Sequence, residues 1–429
     1  MTTAPAVNAL DVLRARGFVQ DVTDEPGLRD AFALGPVIFY VGFDPTAASL
    51  HAGNLVGIMA MSWLQRLGHV PIALAGGATG RIGDPTGRDQ ERELLDDTLI
   101  EANLAGIRSQ LAHVLDLDHE GGLVDNYTWT RPLTLLDFLR DVGVHASVNT
   151  MIAKDAVKTR LTAREQGLTF AELSYQLLQA YDFAVLYEQH GCVLQGGGSD
   201  QWGNIVAGID LIRRRTGGSA YGLTWPLLTT ADGTKFGKSA GNAVWLDAQM
   251  TSPYAYYQFW LNAADADVGR FLRLFTYRDE DEIVALEKQL RADPKARAAH
   301  RALARDATAI IHGDDAVEQA ERASAVLFGG QGNTADSDGG LADVLAAAPS
   351  AMFDRTVLDG GLGVLAALTT LGATKSNGEA RRLVAQGALR VNDVPIDDPA
   401  QLLTSDDLSD GDVIVFRLGK RRYFVARFT

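Results

Sequence analysis

The stretch His51-Ala52-Gly53-Asn54 combines residue types that suit anion binding at the start of a helix. It follows the apolar run GPVIFYVGFD and precedes the apolar helical pattern LVGIMAMSWLQRLG. The first turn of a helix has unpaired N–H groups and partial positive charge, so it can hold a phosphate. Gly53 permits close approach to the backbone, while His51 and Thr46 can donate to phosphate oxygens. The pattern predicts an anion site here.

The segment ADGTKFGKSAGN, residues 231–242, is a second candidate for phosphate chemistry because it places Lys235 and Lys238 beside Ser239 in a glycine-rich loop. Two lysines on a loop can meet charge that builds up on phosphates during a reaction. A P-loop is a rival interpretation, but that motif needs a glycine where Asp232 stands. We therefore predict a nucleotide-binding loop of another kind.

Three polar residues share one face of the helical run LSYQLLQAYDF. Tyr175, Gln179 and Asp182 recur at i, i+4 and i+7, and the rest of the run is mostly apolar. A tyrosine and one charged residue make a poor solvent-facing stripe, so the spacing favours a ligand pocket. In GGGSDQWGN, the carboxylate of Asp200 can accept from two ribose hydroxyls, and the glycines permit close backbone approach.

The elements that must position these groups lie between about residues 37 and 225. The β-rich runs PVIFYVGF, VPIALAGG and CVLQGG each end in a glycine-containing loop, and helical patterns separate them. This alternation predicts an α/β fold with a parallel sheet, whose ligands bind beyond the carboxyl ends of the strands. A mostly helical stretch, about 91–187, is too long for one crossover and is predicted to be an insertion.

We predict four segments. Residues 1–230 form the catalytic α/β domain, and residues 231–328 hold the lysine loop and an α-helical domain. Residues 329–354 contain GGQGNTADSDGG and form a linker, because this composition lacks apolar periodicity. Residues 355–429 form a small α+β domain.

Composition narrows the function classes. The 429 residues are 46% hydrophobic and carry a net charge of −15, which argues against a protein that coats nucleic acid through general basicity. The single cysteine, Cys192, excludes an internal disulfide framework and a cysteine-based zinc cluster. The chain has no recognisable leader or membrane-spanning pattern, so we expect a cytoplasmic protein.

The pair HAGN and KFGKS resembles the HIGH and KMSKS signatures of class I aminoacyl-tRNA synthetases. Four further stretches, YVGFDPTAASLHAGNL, GGATGRIGDPTGR, SYQLLQAYDF and LQGGGSDQWGN, resemble bacterial-type tyrosyl-tRNA synthetases, and the likeness covers nearly the whole chain. One departure is Asn54, where many relatives have a second histidine. Asparagine can still form hydrogen bonds but carries no charge.

The resemblance implies a Rossmann-like catalytic domain and a two-step reaction. The carboxylate of tyrosine attacks the α-phosphate of ATP, and the acyl group then passes to the 3′ end of tRNA(Tyr). ATP is expected as a substrate with Mg²⁺, with no dedicated metal site on the protein. A homodimer is implied, with its interface near WTRPLTLLDFLRDVGV. A tryptophanyl-tRNA synthetase and a non-catalytic RNA-binding relative remain alternatives.

The resemblance also implies roles for individual residues. Tyr40 and Asp182 would bind the phenol of tyrosine, while Asp84, Tyr175 and Gln179 bind its ammonium group and Gln195 lies near its carboxylate. The residues expected to catalyse adenylate formation are Thr46, His51, Asn54, Lys235 and Lys238, assisted by Arg88 and Arg92. The residues expected to bind ATP are Gly42, Asp44, Thr46, His51, Gly53, Asn54, Gly198, Asp200, Gln201, Lys235, Lys238 and Ser239.

The C-terminal residues provide a local basic surface within an acidic chain. Residues 361–429 contain nine Lys/Arg and eight Asp/Glu, whereas the first 360 residues carry a charge of −16. The stretch TKSNGEARRLVAQGALRVND resembles the alpha-L RNA-binding motif. We expect RNA binding by Lys375, Arg381, Arg382, Arg390, Lys420, Arg421 and Arg422.

Overall fold

The computed structural model describes residues 7–84, 96–152, 169–231, 233, 236–239, 242–328, 348–392, 394–409, 412–419 and 422–429. The helices in the first half of the chain are α1 (Ala9–Arg16), α2 (Glu25–Leu34), α3 (Leu55–Arg66), α4 (Thr79–Ile82), α5 (Asp97–Val114), α6 (Tyr127–Thr130), α7 (Leu135–Asp141), α8 (Val148–Ile152), α9 (Phe170–His190) and α10 (Trp202–Thr216). The later helices are α11 (Pro253–Leu261), α12 (Asp265–Phe275), α13 (Glu280–Ala292), α14 (Ala298–His312), α15 (Asp314–Phe328), α16 (Val364–Thr370) and α17 (Asn377–Ala385).

A six-stranded sheet forms the centre of the catalytic region. Its strands are β1 (Asp21–Val22), β2 (Ile38–Phe43), β3 (Val70–Ala75), β4 (Leu123–Asp125), β5 (Leu194–Gly198) and β6 (Tyr221–Trp225). Their order is β1-β6-β5-β2-β3-β4, and every pairing is parallel except that of β1 with β6. The predicted α/β fold with a parallel sheet is confirmed.

The chain leaves β2 in one direction through β3 and β4 and returns on the other side to form β5 and β6. The boundary between β2 and β5 is therefore a switch point, where a crevice opens at the carboxyl ends of the strands. The predicted insertion is not purely helical, because it supplies β4 as an edge strand of the sheet. That strand has only three residues, too few for a periodic pattern in the sequence.

Helix α3 lies against the sheet, and most of its residues are buried because nearly all of them are apolar or small. It ends close to Gly68, whose φ of +91° suits glycine and stops the helix where the sequence predicts. The core on the other face of the sheet joins Tyr40 and Ile72 of the strands to Phe183 and Leu186 of α9.

Arg16 joins the first helix to the end of α12. Its guanidinium donates to the carbonyls of Arg273 at 3.0 Å, Thr276 at 3.2 Å and Arg278 at 2.5 Å. The same group lies 3.5 Å from the ring centre of Trp63 on α3. Burial lowers the pKa of Arg16 to about 10, so it still carries a proton at neutral pH. The carbonyls at the C-terminal end of α12 are thereby paired with a cation.

The chain divides into two compact units, one of residues 1–247 and 263–306 and the other of residues 248–262 and 307–429. The predicted helical segment 231–328 is divided between these two units. The four predicted segments therefore stay a proposal about chain organisation.

In the described part of the chain, no helix has both the length and the apolar character needed to cross a membrane.

The C-terminal residues of the second unit contain a five-stranded sheet of order β12-β11-β14-β15-β9. Its strands are β9 (Ser350–Phe353), β11 (Leu389–Val391), β12 (Val394–Pro395), β14 (Val413–Leu418) and β15 (Arg422–Phe428). Strand β10 (Leu362–Gly363) pairs with β13 (Leu402–Leu403) in the same unit, whereas β7 (Lys238–Ser239) pairs with β8 (Asn242–Ala243) in the first unit. Strand β9 pairs with β15, so residues 350–353 belong to the C-terminal sheet although they fall within the linker predicted at 329–354.

Candidate active site

A buried polar pocket lies beside the switch point between β2 and β5. Tyr40 of β2 is 1% exposed and Asp182 of α9 is 2% exposed, and the ring of Tyr40 lies 5.3 Å from that of Phe183. The Tyr40 hydroxyl makes no hydrogen bond to any part of the chain that the structure describes. Burial raises the pKa of Tyr40 well above its usual value, so its hydroxyl stays neutral. The pocket thus holds a neutral hydroxyl and a carboxyl group.

Two side chains orient the carboxyl group of Asp182. Trp129 Nε1 donates to Asp182 Oδ1 at 2.8 Å, and Asn126 Nδ2 donates to Oδ2 at 2.9 Å. Burial raises the pKa of Asp182 to about 7, while these two hydrogen bonds act in the opposite direction. Both donors lie just after β4 and were not predicted from the sequence. Each carboxyl oxygen keeps a lone pair for a ligand hydroxyl.

A second group of acceptors lies toward the carboxyl ends of the strands. Tyr175 donates its hydroxyl to Asp44 Oδ2 at 2.8 Å, and Thr79 Oγ1 donates to Asp44 Oδ1 at 2.7 Å. Gln201 Nε2 donates to Asp84 Oδ2 at 2.7 Å. Two carboxylates among uncharged donors favour a ligand cation with several N–H groups, such as a primary ammonium. The sequence assigned Asp44 to ATP alone, but the structure ties it to Tyr175.

Asn204 connects the remaining predicted residues of this group. Its Nδ2 donates to Gln179 Oε1 at 3.1 Å and to Gln201 Oε1 at 3.2 Å, so Asp84, Gln201, Asn204 and Gln179 form one chain of hydrogen bonds. Asn204 was not predicted, although it closes the quoted stretch GGGSDQWGN. A continuous network of this kind holds each acceptor in one orientation.

Gln195, predicted to lie near the carboxylate of the amino acid, is on β5. It is paired in register with Tyr40 across β5 and β2, is 2% exposed, and its Oε1 makes no hydrogen bond within the described ranges. Its place near a ligand carboxylate stays a prediction. Gln201 is the glutamine that is bonded to Asp84.

The HAGN motif forms a tightly bonded helix start. His51 Nδ1 accepts the backbone N–H of Gly53 at 3.0 Å, so the proton of the neutral ring lies on Nε2. Asn54 Oδ1 accepts the backbone N–H of His51 at 3.1 Å, which leaves the amide N–H groups of Asn54 as its donors. Both side chains are half-buried and can donate to an anion without carrying a charge.

Two glycines at the ends of β2 and β5 belong to the predicted nucleotide site. A Cβ at Gly42 would meet only Leu74 at 3.7 Å, so packing within the protein does not require a glycine there. At Gly198 a Cβ would lie 2.6 Å from Asp200 Oδ1, so a side chain there would displace the carboxylate that is expected to bind ribose. Thr46, which follows β2, is exposed. Burial and the nearby charge of Asp84 raise the pKa of Asp200.

The lysine loop is held beside HAGN. Trp245 forms an antiparallel β-bridge with His51, and the Ala52 N–H donates to the carbonyl of Val244 at 2.8 Å. The backbone of Lys238 and Ser239 forms β7, which pairs with β8. Arg88, Arg92 and Lys235 lie outside the described residues. No group of three or more His, Cys, Asp or Glu that could hold a metal occurs among the residues described.

The basic residues predicted to bind RNA lie around α17. Lys375, Arg381 and Arg382 are exposed, while Arg390 is half-buried on β11. Arg422 differs from these because its guanidinium donates to the carbonyl of Ala373 at 2.7 Å, which fastens β15 to the segment before the helix. Lys420 and Arg421 lie outside the described residues.

Comparison with known proteins agrees with this geometry. Residues 33–329 match the family described as tRNA synthetases class I (W and Y), and residues 344–426 match the tyrosine–tRNA ligase SYY-like C-terminal domain. The tyrosine–tRNA ligase of Roseiflexus castenholzii is 49% identical over 422 residues, covering 97% of this chain and 99% of that protein.

Solved structures give the same result. A C-terminally truncated mitochondrial tyrosyl-tRNA synthetase of Aspergillus nidulans is 34% identical, with a TM-score of 0.66 over 73% of this chain and 92% of that one. The tryptophanyl-tRNA synthetase of Plasmodium falciparum is 11% identical with a TM-score of 0.52 over 72% and 83% of the two chains, which shows a shared fold alone. The chain therefore belongs to the tyrosine–tRNA ligase family of class I aminoacyl-tRNA synthetases.

Proposed function

We propose that the pocket between Tyr40 and Asp182 is where this tyrosine–tRNA ligase recognises the phenol of its amino acid. The observation that carries the proposal is the buried carboxyl group of Asp182, oriented by Asn126 and Trp129 beside the Tyr40 hydroxyl. If phenylalanine entered, this polar group would lose its ligand partner, which is more unfavourable than a lost apolar contact. The same family is the standard example of such discrimination without editing.

The ammonium group of tyrosine would meet the acceptors at the other end of the pocket. Asp84, Tyr175 and Gln179 take this role in the proposal, supported by the hydrogen-bond chain through Gln201 and Asn204. Asp44 contributes charge through its bond to Tyr175. This arrangement turns the carboxylate of tyrosine toward the open strand ends, where the nucleotide is expected.

The first chemical step joins tyrosine to the α-phosphate of ATP, which is a substrate of this family. We propose that Mg²⁺ enters with ATP. One carboxylate oxygen of tyrosine forms a bond to the α-phosphorus, the bond to the bridging oxygen breaks, and pyrophosphate leaves with the electron pair. Negative charge then grows on the β- and γ-phosphates. The groups proposed to stabilise it are Thr46, His51, Asn54, Lys235 and Lys238, with Arg88 and Arg92.

The neutral ring of His51 is suited to this role. Its Nδ1 is bonded to the backbone, which directs the Nε2–H donor away from the Gly53 amide. Gly42, Gly53, Gly198, Asp200, Gln201 and Ser239 complete the proposed ATP site. In the second step the acyl group passes from the adenylate to a ribose hydroxyl of tRNA, and AMP leaves. No covalent bond to the enzyme is needed.

We further propose that the basic surface around α17 binds tRNA. The exposed side chains of Lys375, Arg381 and Arg382 can meet successive phosphates, with Arg390 beside them. Lys420 and Arg421 are assigned to the same surface from the sequence. We also propose that the reaction takes place in the cytoplasm.

We also propose that two copies of the chain associate through the face formed by α7, α8 and the turn between them. Five apolar side chains there are strongly exposed: Leu135 (70%), Leu136 (76%), Leu139 (48%), Val144 (70%) and Val148 (61%). A group of large exposed apolar residues is unusual for a monomer and suits burial against a second copy.

Pyrophosphate exchange into ATP, measured with tyrosine, tryptophan and phenylalanine in parallel, tests the proposed selectivity. We expect exchange with tyrosine and very little with the other two. Preference for tryptophan would place the chain with the tryptophan enzymes, and no exchange with any amino acid would favour a non-catalytic RNA-binding relative.

A further inference from the structure

Phe236 lies between the two lysines of the KFGKS segment and is buried, with 6% of its surface exposed. Its ring is stacked on Phe275 with a centroid distance of 5.2 Å and an angle of 11°, and it lies 4.9 Å from Phe271. Both partners are on α12 and are themselves buried. The middle of the lysine motif is thus packed into the core of the first unit.

The segment that leads into the loop is fastened to the same helix. Asp267, 3% exposed, accepts the Ala231 N–H at 2.8 Å and accepts from Arg270 at 2.8 Å with its other oxygen. The guanidinium of Arg270 also donates to the carbonyl of Thr229 at 2.5 Å. Helix α12 therefore holds both the beginning of the loop and its phenylalanine.

On its other side the segment touches the HAGN motif. Gly237 has a φ of +85°, and a Cβ there would lie 2.7 Å from the backbone nitrogen of Gly53. The carbonyl of Gly237 accepts the Val244 N–H at 2.9 Å, and Val244 in turn accepts from Ala52. The residue next to Phe236 therefore lies directly against the helix start that carries His51.

We propose that Phe236, seated on Phe271 and Phe275, is a positioning residue for adenylate formation. It fixes the backbone between Lys235 and Lys238 at one distance from His51, so that the lysines lose little conformational freedom when they meet the growing phosphate charge. This inference rests on the proposed catalytic role of the two lysines. Its signature is a loss of rate without a loss of tyrosine affinity, because Phe236 packs on α12, whereas the phenol is proposed to bind at Tyr40 and Asp182.

The test uses full-length Phe236→Ala, Phe236→Leu and Phe271→Leu. We expect each to lower kcat for tyrosine-dependent pyrophosphate exchange, by on the order of 10- to 100-fold for Phe236→Ala and less for the leucine variants. The Kd for tyrosine, measured by intrinsic fluorescence, should stay unchanged. Phe32→Leu is the matched control, since Phe32 is 8% exposed and packs on His69 at the opposite ends of the strands. Its exchange rate should equal that of the wild type.

A double-mutant cycle with Lys238→Ala decides how Phe236 acts. If Phe236 acts through the lysines, Phe236→Ala should cause a smaller loss in the Lys238→Ala background than in the wild type, because one of the two lysines that it positions is already gone. The same factor in both backgrounds, or a tyrosine Kd that rises as much as kcat falls, would overturn the inference while the lysine role stands. Normal exchange by Lys238→Ala would overturn both. If Phe236→Ala does not fold, the cycle with Phe236→Leu decides on the same criteria.

Discussion

His51 has its Nδ1 bonded to the Gly53 amide, so its ring proton lies on Nε2. We expect His51→Ala to slow pyrophosphate exchange by on the order of 100-fold while tyrosine binding is nearly unchanged, because the contact strengthens in the transition state. His51→Gln should retain more activity, since its amide nitrogen can donate at a similar reach. Steady-state exchange and tyrosine titration together provide the check. Equal losses of tyrosine affinity and rate would contradict the role.

Asp182 should make tyrosine binding depend on pH near neutrality. Burial raises the pKa of its carboxyl group in the free protein to about 7, and a phenol donates most strongly to the ionised form. As the pH falls through about 7 the group takes up a proton, so the affinity for tyrosine should fall. Tyrosine Kd measured from about pH 6 to about pH 8.5 tests this, with phenylalanine, which lacks the hydroxyl, as the comparison ligand. A flat tyrosine curve would contradict the prediction.

Sequence reasoning found some residues of the phenol pocket and missed others for a definite reason. Tyr175 and Asp182 lie on one helix, so the spacing alone brought them together. Asn126 and Trp129 lie 56 and 53 residues before Asp182 in the chain, and no local pattern connects them to it. Such long-range partners can be identified only from the structure, in which the sheet brings them together.

The short element formed by β4 and α6 has a function beyond closing the edge of the sheet, because it carries both donors to Asp182. Asn126→Ala removes one of them, and we expect the tyrosine Kd to rise by about tenfold, as for the loss of one hydrogen bond to a charged group. Thr128→Ala is the control, since Thr128 is exposed and bonds only to the carbonyl of Asp125 among the residues described. An unchanged Kd for Asn126→Ala would show that Trp129 alone holds the carboxylate.

Elements with long apolar patterns were predictable, and short ones were not. The strands β2 and β3 appear as continuous apolar runs, β5 lies in the short β-rich run CVLQGG, and α3 ends near the glycine that the sequence marks. By contrast β4 has three residues, and β9 stands among residues that were predicted to form a linker. Pairing with β15 gives β9 its structure, and that partner lies more than seventy residues later.

For the molecule as a whole, chemistry and RNA contact are assigned to different parts of the chain. Because β9 belongs to the C-terminal sheet, a truncation that removes the whole sheet must delete residues 348–429 rather than only 355–429. We expect the shortened protein to keep tyrosine-dependent pyrophosphate exchange and to charge tRNA poorly. The intact protein should lose charging efficiency as salt rises, because phosphate contacts release counterions. Equal tRNA charging by both proteins would show that these residues do not hold the tRNA.

The proposed dimer gives a prediction for the assembled molecule. Introducing charge on the exposed apolar face, with Leu136→Glu and Val148→Glu together, should convert a dimer into a monomer in sedimentation velocity. Leu34→Glu is the matched control, since Leu34 is 88% exposed at the end of α2 and outside that face. A dimer that survives the double substitution would place the interface elsewhere.

The three carbonyls bound by Arg16 lie 257 to 262 residues further along the chain, a separation that matters while the protein is being made. A ribosome adds residues one at a time from the N-terminus, so α1 emerges long before α12 exists. Until α12 has been made, the buried guanidinium of Arg16 lacks the carbonyls of Arg273, Thr276 and Arg278. Helix α1 therefore cannot take its final place. The first unit must therefore finish folding late in synthesis. Contacts between residues so far apart in the sequence also predict that this folding is slow.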